Sequence, residues 1–130
     1  TMYFSSNRES KSTWDFDIYA ARQQNGKFLP PVKLGAGVNT PHYEADVFVA
    51  PDESYLIFCA NRPGGKGEGD LYVSFKQKNG SWSKAKNMAA INTKSHELCP
   101  FVTADGKYLF FTSKQDIYWV DAKVIEQYRR

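Results

Sequence analysis

Residues 70–93 read DLYVSFKQKNGSWSKAKNMAAINT, and residues 17–40 read DIYAARQQNGKFLPPVKLGAGVNT. Asp-x-Tyr, Asn-Gly and Asn-Thr therefore recur in one order, 53 residues apart as counted from Asp17 to Asp70. The same offset carries Glu44 onto Glu97, Asp52 onto Asp105 and Phe58 onto Phe111. Asp116-Ile117-Tyr118 opens a third copy, and Tyr3 to Arg8 matches Ile57 to Arg62 and again Phe110 to Ser113. A register held through so many landmarks marks a repeat architecture.

Within the central copy, four β-type runs alternate with turn chemistry: Glu44 to Ala50, Tyr55 to Ala60, Asp70 to Gln77 and Trp82 to Met88. Pro51-Asp52-Glu53-Ser54, echoed by Ala104-Asp105-Gly106-Lys107, reads as a tight hairpin turn. Asn25-Gly26 and Asn79-Gly80 read as type I′ turns, since both residue types accept positive φ. One extra residue precedes Asn79, which predicts a change of hairpin length that leaves the sheet intact. Tyr55 to Ala60 is apolar on both faces, as a strand sandwiched between neighbouring sheets must be. Lys76, Lys78, Lys84 and Lys86 put charge on the outer strands, where it discourages edge-to-edge pairing. The closing Asp121-AKVIEQYRR predicts a short helix with an Asp N-cap, packed on the last sheet through Val124, Ile125 and Tyr128.

These signals predict an all-β chain: a β-propeller fragment of about two and a half four-stranded antiparallel blades with a short C-terminal helix. The expected division is an incomplete blade at 1–40, a complete one at 41–93, an incomplete one at 94–121 and the helix at 122–130. Aligning Phe4 with Phe58 places Thr1 opposite Tyr55, inside a repeat. Such an arc cannot close alone, so the remaining blades are expected in the same chain or by self-association.

Composition agrees. The chain has 130 residues, 42% hydrophobic and 15% aromatic, enough for one domain with a core. Its formal net charge of +3 is small and interspersed, which gives no footprint for nucleic acid. No apolar run is long enough for membrane insertion. Cys59 and Cys99 lack metal-ligand spacing and read as buried thiols, with a bridge between them left open. No metal site, cofactor or catalytic residue is assigned.

The motifs SSNR at Ser5 to Arg8, APDESYLIFCANRPGG at Ala50 to Gly65, GDLYVSF at Gly69 to Phe75, GSWSKAKN at Gly80 to Asn87, ADGKYLFFTS at Ala104 to Ser113 and DIYWVDAKVIE at Asp116 to Glu126 resemble the TolB-type, WD-like β-propeller repeat of bacterial exported proteins. The resemblance covers essentially the whole chain. It implies an extracytoplasmic propeller, in the periplasm or secreted, of which this is the C-terminal portion. Some members of that family are protein-binding scaffolds, and distant propellers of similar shape act on carbohydrates. Ala104 in place of Pro, Glu53 in place of Gly, and Lys114-Gln115 in place of Asn-Arg and a glycine loop depart from the pattern.

Two sets of polar residues invite a role. Asn7, Arg8 and Asp17, then Asn61, Arg62 and Asp70, with Asp116 in the third copy, recur with the repeat and read as structural: an Arg–Asp pair pinning the loop between second and third strands. His42, Glu44 and Asp46, with His96 and Glu97, lie just ahead of or within the first strands, which line a propeller's channel mouth; they are the tentative ligand-binding set. Asn39, Asn92, Glu44 and Glu97 also recur, which favours turn-fastening for them. Trp82 with Phe28, and Tyr19 with Tyr72 and Tyr118, are repeat-spaced aromatics expected to pack between sheets. Trp14, without a counterpart, is the better candidate for a stacking contact. The run Pro63 to Gly69 lacks the register of a phosphate loop and reads as a flexible loop that could touch a ligand.

The function expected from this set is a binding or scaffold module contacting a protein, peptide or glycan through channel-mouth loops. The alternative is a carbohydrate-active hydrolase or lyase using Glu44, Asp46, Glu97 and the histidines as acid, base or metal ligands.

Overall fold

The computed structural model describes all of residues 1–130. Twelve strands follow in order: β1 Met2–Ser6, β2 Asp17–Ala21, β3 Gln23–Gln24, β4 Lys27–Phe28, β5 Val32–Lys33, β6 Tyr43–Val49, β7 Tyr55–Asn61, β8 Asp70–Phe75, β9 Lys86–Asn87, β10 Leu98–Val102, β11 Tyr108–Ser113 and β12 Asp116–Asp121. They form antiparallel sheets ordered β1-β2-β5, β6-β7-β8-β9 and β10-β11-β12, with the small hairpin β3-β4 beyond the first. The protein is all-β, ending in a short 3-10 helix at Ala122–Tyr128.

The sheets stack through two seams. Ile18, Val38, Leu56, Phe58, Ala60 and Tyr72 fill the first; Ile57, Cys59, Leu71, Val73, Leu109 and Phe111 are among those filling the second. Alternation along β7 explains the split, because successive side chains point to opposite faces and both faces are apolar. Each fully buried side chain of this size contributes roughly 1.5–3 kcal/mol.

Three aromatic stacks repeat with the sheets: Phe4 on Tyr19, Phe58 on Tyr72 and Phe111 on Tyr118, with centroids 5.9, 6.0 and 6.2 Å apart. Guanidinium groups of Arg8 and Arg62 lie over the first two. Gln115 stands at the third equivalent position.

The turns follow the residues available. Asn25 and Gly26 both have positive φ, giving the type I′ hairpin. At Asn79-Gly80 only Gly80 does, and its N–H donates to the Gln77 carbonyl. The extra residue thus turns a two-residue loop into a three-residue one built on a type I turn, in place of the predicted type I′ form. Glu53 takes the left-handed conformation that Gly106 takes in the next copy. Lys114 and Gln115 both have positive φ, so a type I′ turn of ordinary residues replaces the long loop there.

Three further expectations change. Phe28 is 53% exposed in the hairpin beyond the first sheet rather than packed between sheets. The run Trp82 to Met88 is not a continuous strand: it pairs at Lys86–Asn87, with an isolated bridge at Trp82. Its backbone is diverted, since Ser83 Oγ accepts from Phe75 N–H and Ala85 N–H donates to Gly37 of the preceding repeat. The terminal helix keeps its predicted Asp121 cap, which accepts from Lys123 N–H. It packs across the second seam rather than on the last sheet alone: Ala122 and Ile125 join the core with Phe75 and Met88, and Tyr128 Oη accepts from Ala90 N–H.

Candidate functional site

Side chains at one end of the stack, where β6 and β10 begin, fasten the connector between successive sheets to the sheet it leaves. Asn39 Oδ1 accepts from Ile18 N–H at 2.8 Å, and Asn39 Nδ2 donates to the Ile18 and Leu34 carbonyls. Asn92 does the same to Leu71 N–H and C=O at 2.8 and 2.9 Å, then donates to Asn87 Oδ1. Both amides are buried, so they replace a strand partner for the backbone they clamp.

Glu44 and Glu97 are 0% exposed. Glu44 accepts from Thr40 Oγ1, from Thr40 N–H at 3.1 Å and from Arg62 Nε at 2.9 Å. Burial pushes its carboxyl above the ordinary range, opposed by those donors. Glu97 accepts from Thr93 Oγ1 and Ser113 Oγ, while its second oxygen finds no partner. Ser113 and Gln115 stand where Ala60 and Arg62 stand in the preceding copy, so the third sheet substitutes a hydroxyl for the guanidinium.

The predicted Arg–Asp pairs do not form. Arg62 bonds Glu44 and the Val38 carbonyl; Asp70 accepts from Lys66 N–H, Gly67 N–H and Asn87 Nδ2. Asp17 pairs with Lys33 at 2.6 Å, and Arg8 bonds Ser6 Oγ beneath its aromatic stack. The buried glutamate outcompetes the nearer aspartate because an unpaired carboxylate there costs more than one with backbone donors at hand. Asn7 Nδ2 donates to the Thr13 carbonyl, Asn61 is exposed, and Asp116 Oδ1 accepts from Ile117 N–H.

The glycine-rich loop is fastened rather than loose. Glu68 N–H donates to Ser95 C=O, and Glu97 N–H to Gly69 C=O, just as Glu44 N–H donates to Phe16 C=O one repeat earlier. A Cβ at Gly67 would collide with the Ser95 and Thr93 carbonyl oxygens, and one at Gly69 with the His96 ring. These glycines are where one repeat's backbone approaches the next.

The remaining candidates separate. His42 is exposed, its backbone N–H resting on Thr40 Oγ1. His96 Nε2 lies 3.5 Å from Cys59 Sγ. Trp14 is 80% exposed on the loop between β1 and β2. Asp46 sits in a β-bulge of β6 at φ 53°, and Cys99 in the matching bulge of β10 at φ 52°. Both cysteines are free thiols; Cys59 is buried as expected, but Cys99 is exposed. Nothing in the residue types announces the left-handed backbone that carries Cys99 in its bulge.

A polar cleft of about 590 Å³ opens at this end, lined by Glu68, Lys94, Ser95, His96, Leu98, Thr112, Lys114 and Gln115. Glu44 and Glu97 lie outside its lining. A larger cleft of about 860 Å³ lies at the opposite end, beside the turns at Glu53 and Gly80. No helix is long and apolar enough to cross a membrane.

Fold and site together define an all-β protein of serially stacked antiparallel sheets, joined by backbone hydrogen bonds such as those from Glu44 to Phe16 and from Glu97 to Gly69, with buried Asn and Glu side chains clamping the connectors between them. No protein-family model matches the chain, and no curated protein matches it.

Proposed function

We propose that this chain is part of a TolB-like β-propeller that works outside the cytoplasm as a non-enzymatic binding module, holding a protein, peptide or glycan at the end of the stack where β6 and β10 begin. The observation that carries the binding role is the 590 Å³ cleft there, in which His96, Glu68, Lys94 and Lys114 converge. Its size falls in the range of small-ligand sites, and its mixed charges suit a polar ligand.

The propeller reading draws support from the outward face of β10-β11-β12. Ile117 and Trp119 are 71% and 60% exposed, while their counterparts Leu71 and Val73, one repeat earlier, are fully buried by the next sheet. A further sheet of the same repeat would cover them. The hydrolase or lyase alternative loses its carboxyl pair, because Glu44 and Glu97 are consumed in turns rather than facing a common pocket.

Peptide and glycan arrays probed with labelled chain test the binding role. Retained ligands are expected to be lost with His96→Ala and Lys114→Glu. Absence of any retained ligand whose binding is lost with these variants overturns it.

A further inference from the structure

The two seams of the stack differ at the end bearing the turns at Glu53 and Gly80. In the second seam the 3-10 helix fills the wedge: Ile125 is buried, Tyr128 Oη accepts from Ala90 N–H, and Arg129 lies over the Phe75 ring at 4.5 Å. In the first seam the positions of Phe75 and Ala90 are held by Arg22 and Gly37. No element fills the wedge there, and it remains a cleft of about 860 Å³.

Its walls combine flat apolar surface with positive charge. Tyr3 and Trp82 meet edge to face at 6.2 Å across the seam, and the Lys76 ammonium lies 4.6 Å from the Trp82 ring. Arg22 and Lys76 are exposed and make no ion pair, whereas Lys33, also in the lining, is neutralised by Asp17. Glu53 is the one carboxylate in the lining, and its Oε1 accepts from the Tyr3 hydroxyl. The free charge is thus net positive. Gly35 in the lining has ordinary φ and open space where a Cβ would sit, so a glycine there is not demanded by the backbone. It leaves the cleft clear.

We propose that this cleft is a second binding site, separate from the one at the other end, and that it takes an anionic sugar unit: a uronic-acid saccharide whose carboxylate meets Arg22 and Lys76 while its C–H groups lie in the corner that Tyr3 and Trp82 form. Guanidinium recognises a carboxylate through paired, charge-assisted hydrogen bonds. The aromatic walls offer apolar surface to the sugar's C–H groups, and the oxygen of the exposed Ser81 hydroxyl, which donates to Gln77 and Asn79, is placed to accept from one of its hydroxyls.

The test is titration calorimetry of the whole chain with a uronic-acid oligosaccharide, with the same oligosaccharide after reduction of its carboxyls to alcohols, and with the monomeric uronate. Binding of the acidic oligosaccharide is expected, weakened roughly tenfold or more by reduction or by Arg22→Ala, as loss of one charge-assisted contact implies. Gly35→Trp, which places a ring into open space, should abolish binding while leaving the far-ultraviolet spectrum and unfolding midpoint unchanged. Monomer binding as tight as the oligosaccharide's would assign the site to a free acid sugar; weaker monomer binding would assign it to a chain. No measurable binding of any acidic probe, equal binding of the reduced form, or binding that survives both Arg22→Ala and Gly35→Trp overturns the proposal.

Discussion

Asp46 and Cys99 stand at the same place in successive repeats and touch: Cys99 N–H donates to Asp46 Oδ2 at 3.4 Å, and Cys99 Sγ lies 3.7 Å from the same oxygen. Two neighbouring inner strands therefore bulge at the same level, each with an ordinary residue in the left-handed region, a conformation that costs of the order of 1 kcal/mol or more.

Burial, then the Asp46 carboxylate, raises the Cys99 thiol above its ordinary value, and burial pushes Cys59 up to about 12. At pH 8 iodoacetamide should modify Cys99 more slowly than free cysteine, and Cys59 only after unfolding. Asp46→Asn should quicken Cys99 modification several-fold, as read by mass spectrometry of the labelled chain.

Arg62→Ala strands a buried carboxylate and should lower the unfolding free energy in urea by about 3–5 kcal/mol. Arg8→Ala, which removes a guanidinium lying over the Phe4 and Tyr19 rings but strands no buried carboxylate, should cost much less. Because the Glu44 carboxyl is raised above its ordinary 4.5 mainly by burial, its contribution is complete below that value and is lost as pH rises through its folded value. The margin of wild type over Glu44→Gln should therefore narrow as pH climbs from about 4.5, measured by urea titration at each pH.

Asn39→Ala and Asn92→Ala each leave a buried N–H and C=O without partners, at roughly 1–3 kcal/mol per group. Replacement by Asp should also destabilise, since the donating Nδ2 is lost. Denaturation midpoints falling equally for both positions would show that the two clamps do equal work.

Gly67→Ala must push a methyl into the Ser95 carbonyl, so a loss of about 1–3 kcal/mol is expected. Gly35→Ala, which meets open space, should be neutral, both variants being read by their thermal unfolding midpoints.

Lys114-Gln115→Asn-Gly supplies the residues that a type I′ turn prefers, and a gain of about 1–2 kcal/mol is expected. Unchanged stability would mean that the turn relaxes to another form in solution.

The all-β class, the strands β6, β7 and β8, and the Asn25-Gly26 turn were legible because each rests on local signals: apolar runs and turn residues in fixed order. The partner of Arg62 was not. Asp70 lies eight positions away in sequence and Glu44 eighteen, so proximity along the chain favours the aspartate, while burial in three dimensions selects the glutamate. The run Trp82 to Met88 alternates lysine with other residues as a strand would, but midway Ala85 N–H leaves the sheet and donates to Gly37 of another repeat. Amphipathic spacing of Val124, Ile125 and Tyr128 announced a helix without telling that it would bridge two sheets. The wedge at Arg22 is visible only when one seam is compared with the other.

The bonds from Glu44 to Phe16 and from Glu97 to Gly69, with the Asn39 and Asn92 amides beside them, make the start of every repeat a fastening for the one before. A sheet cannot peel away without opening its neighbour, so melting should be all-or-none across the length of the stack. Deuterium uptake would then be slowest at the amides of Ile18 and Leu71, which are fully buried, and a single fluorescence transition would coincide with it.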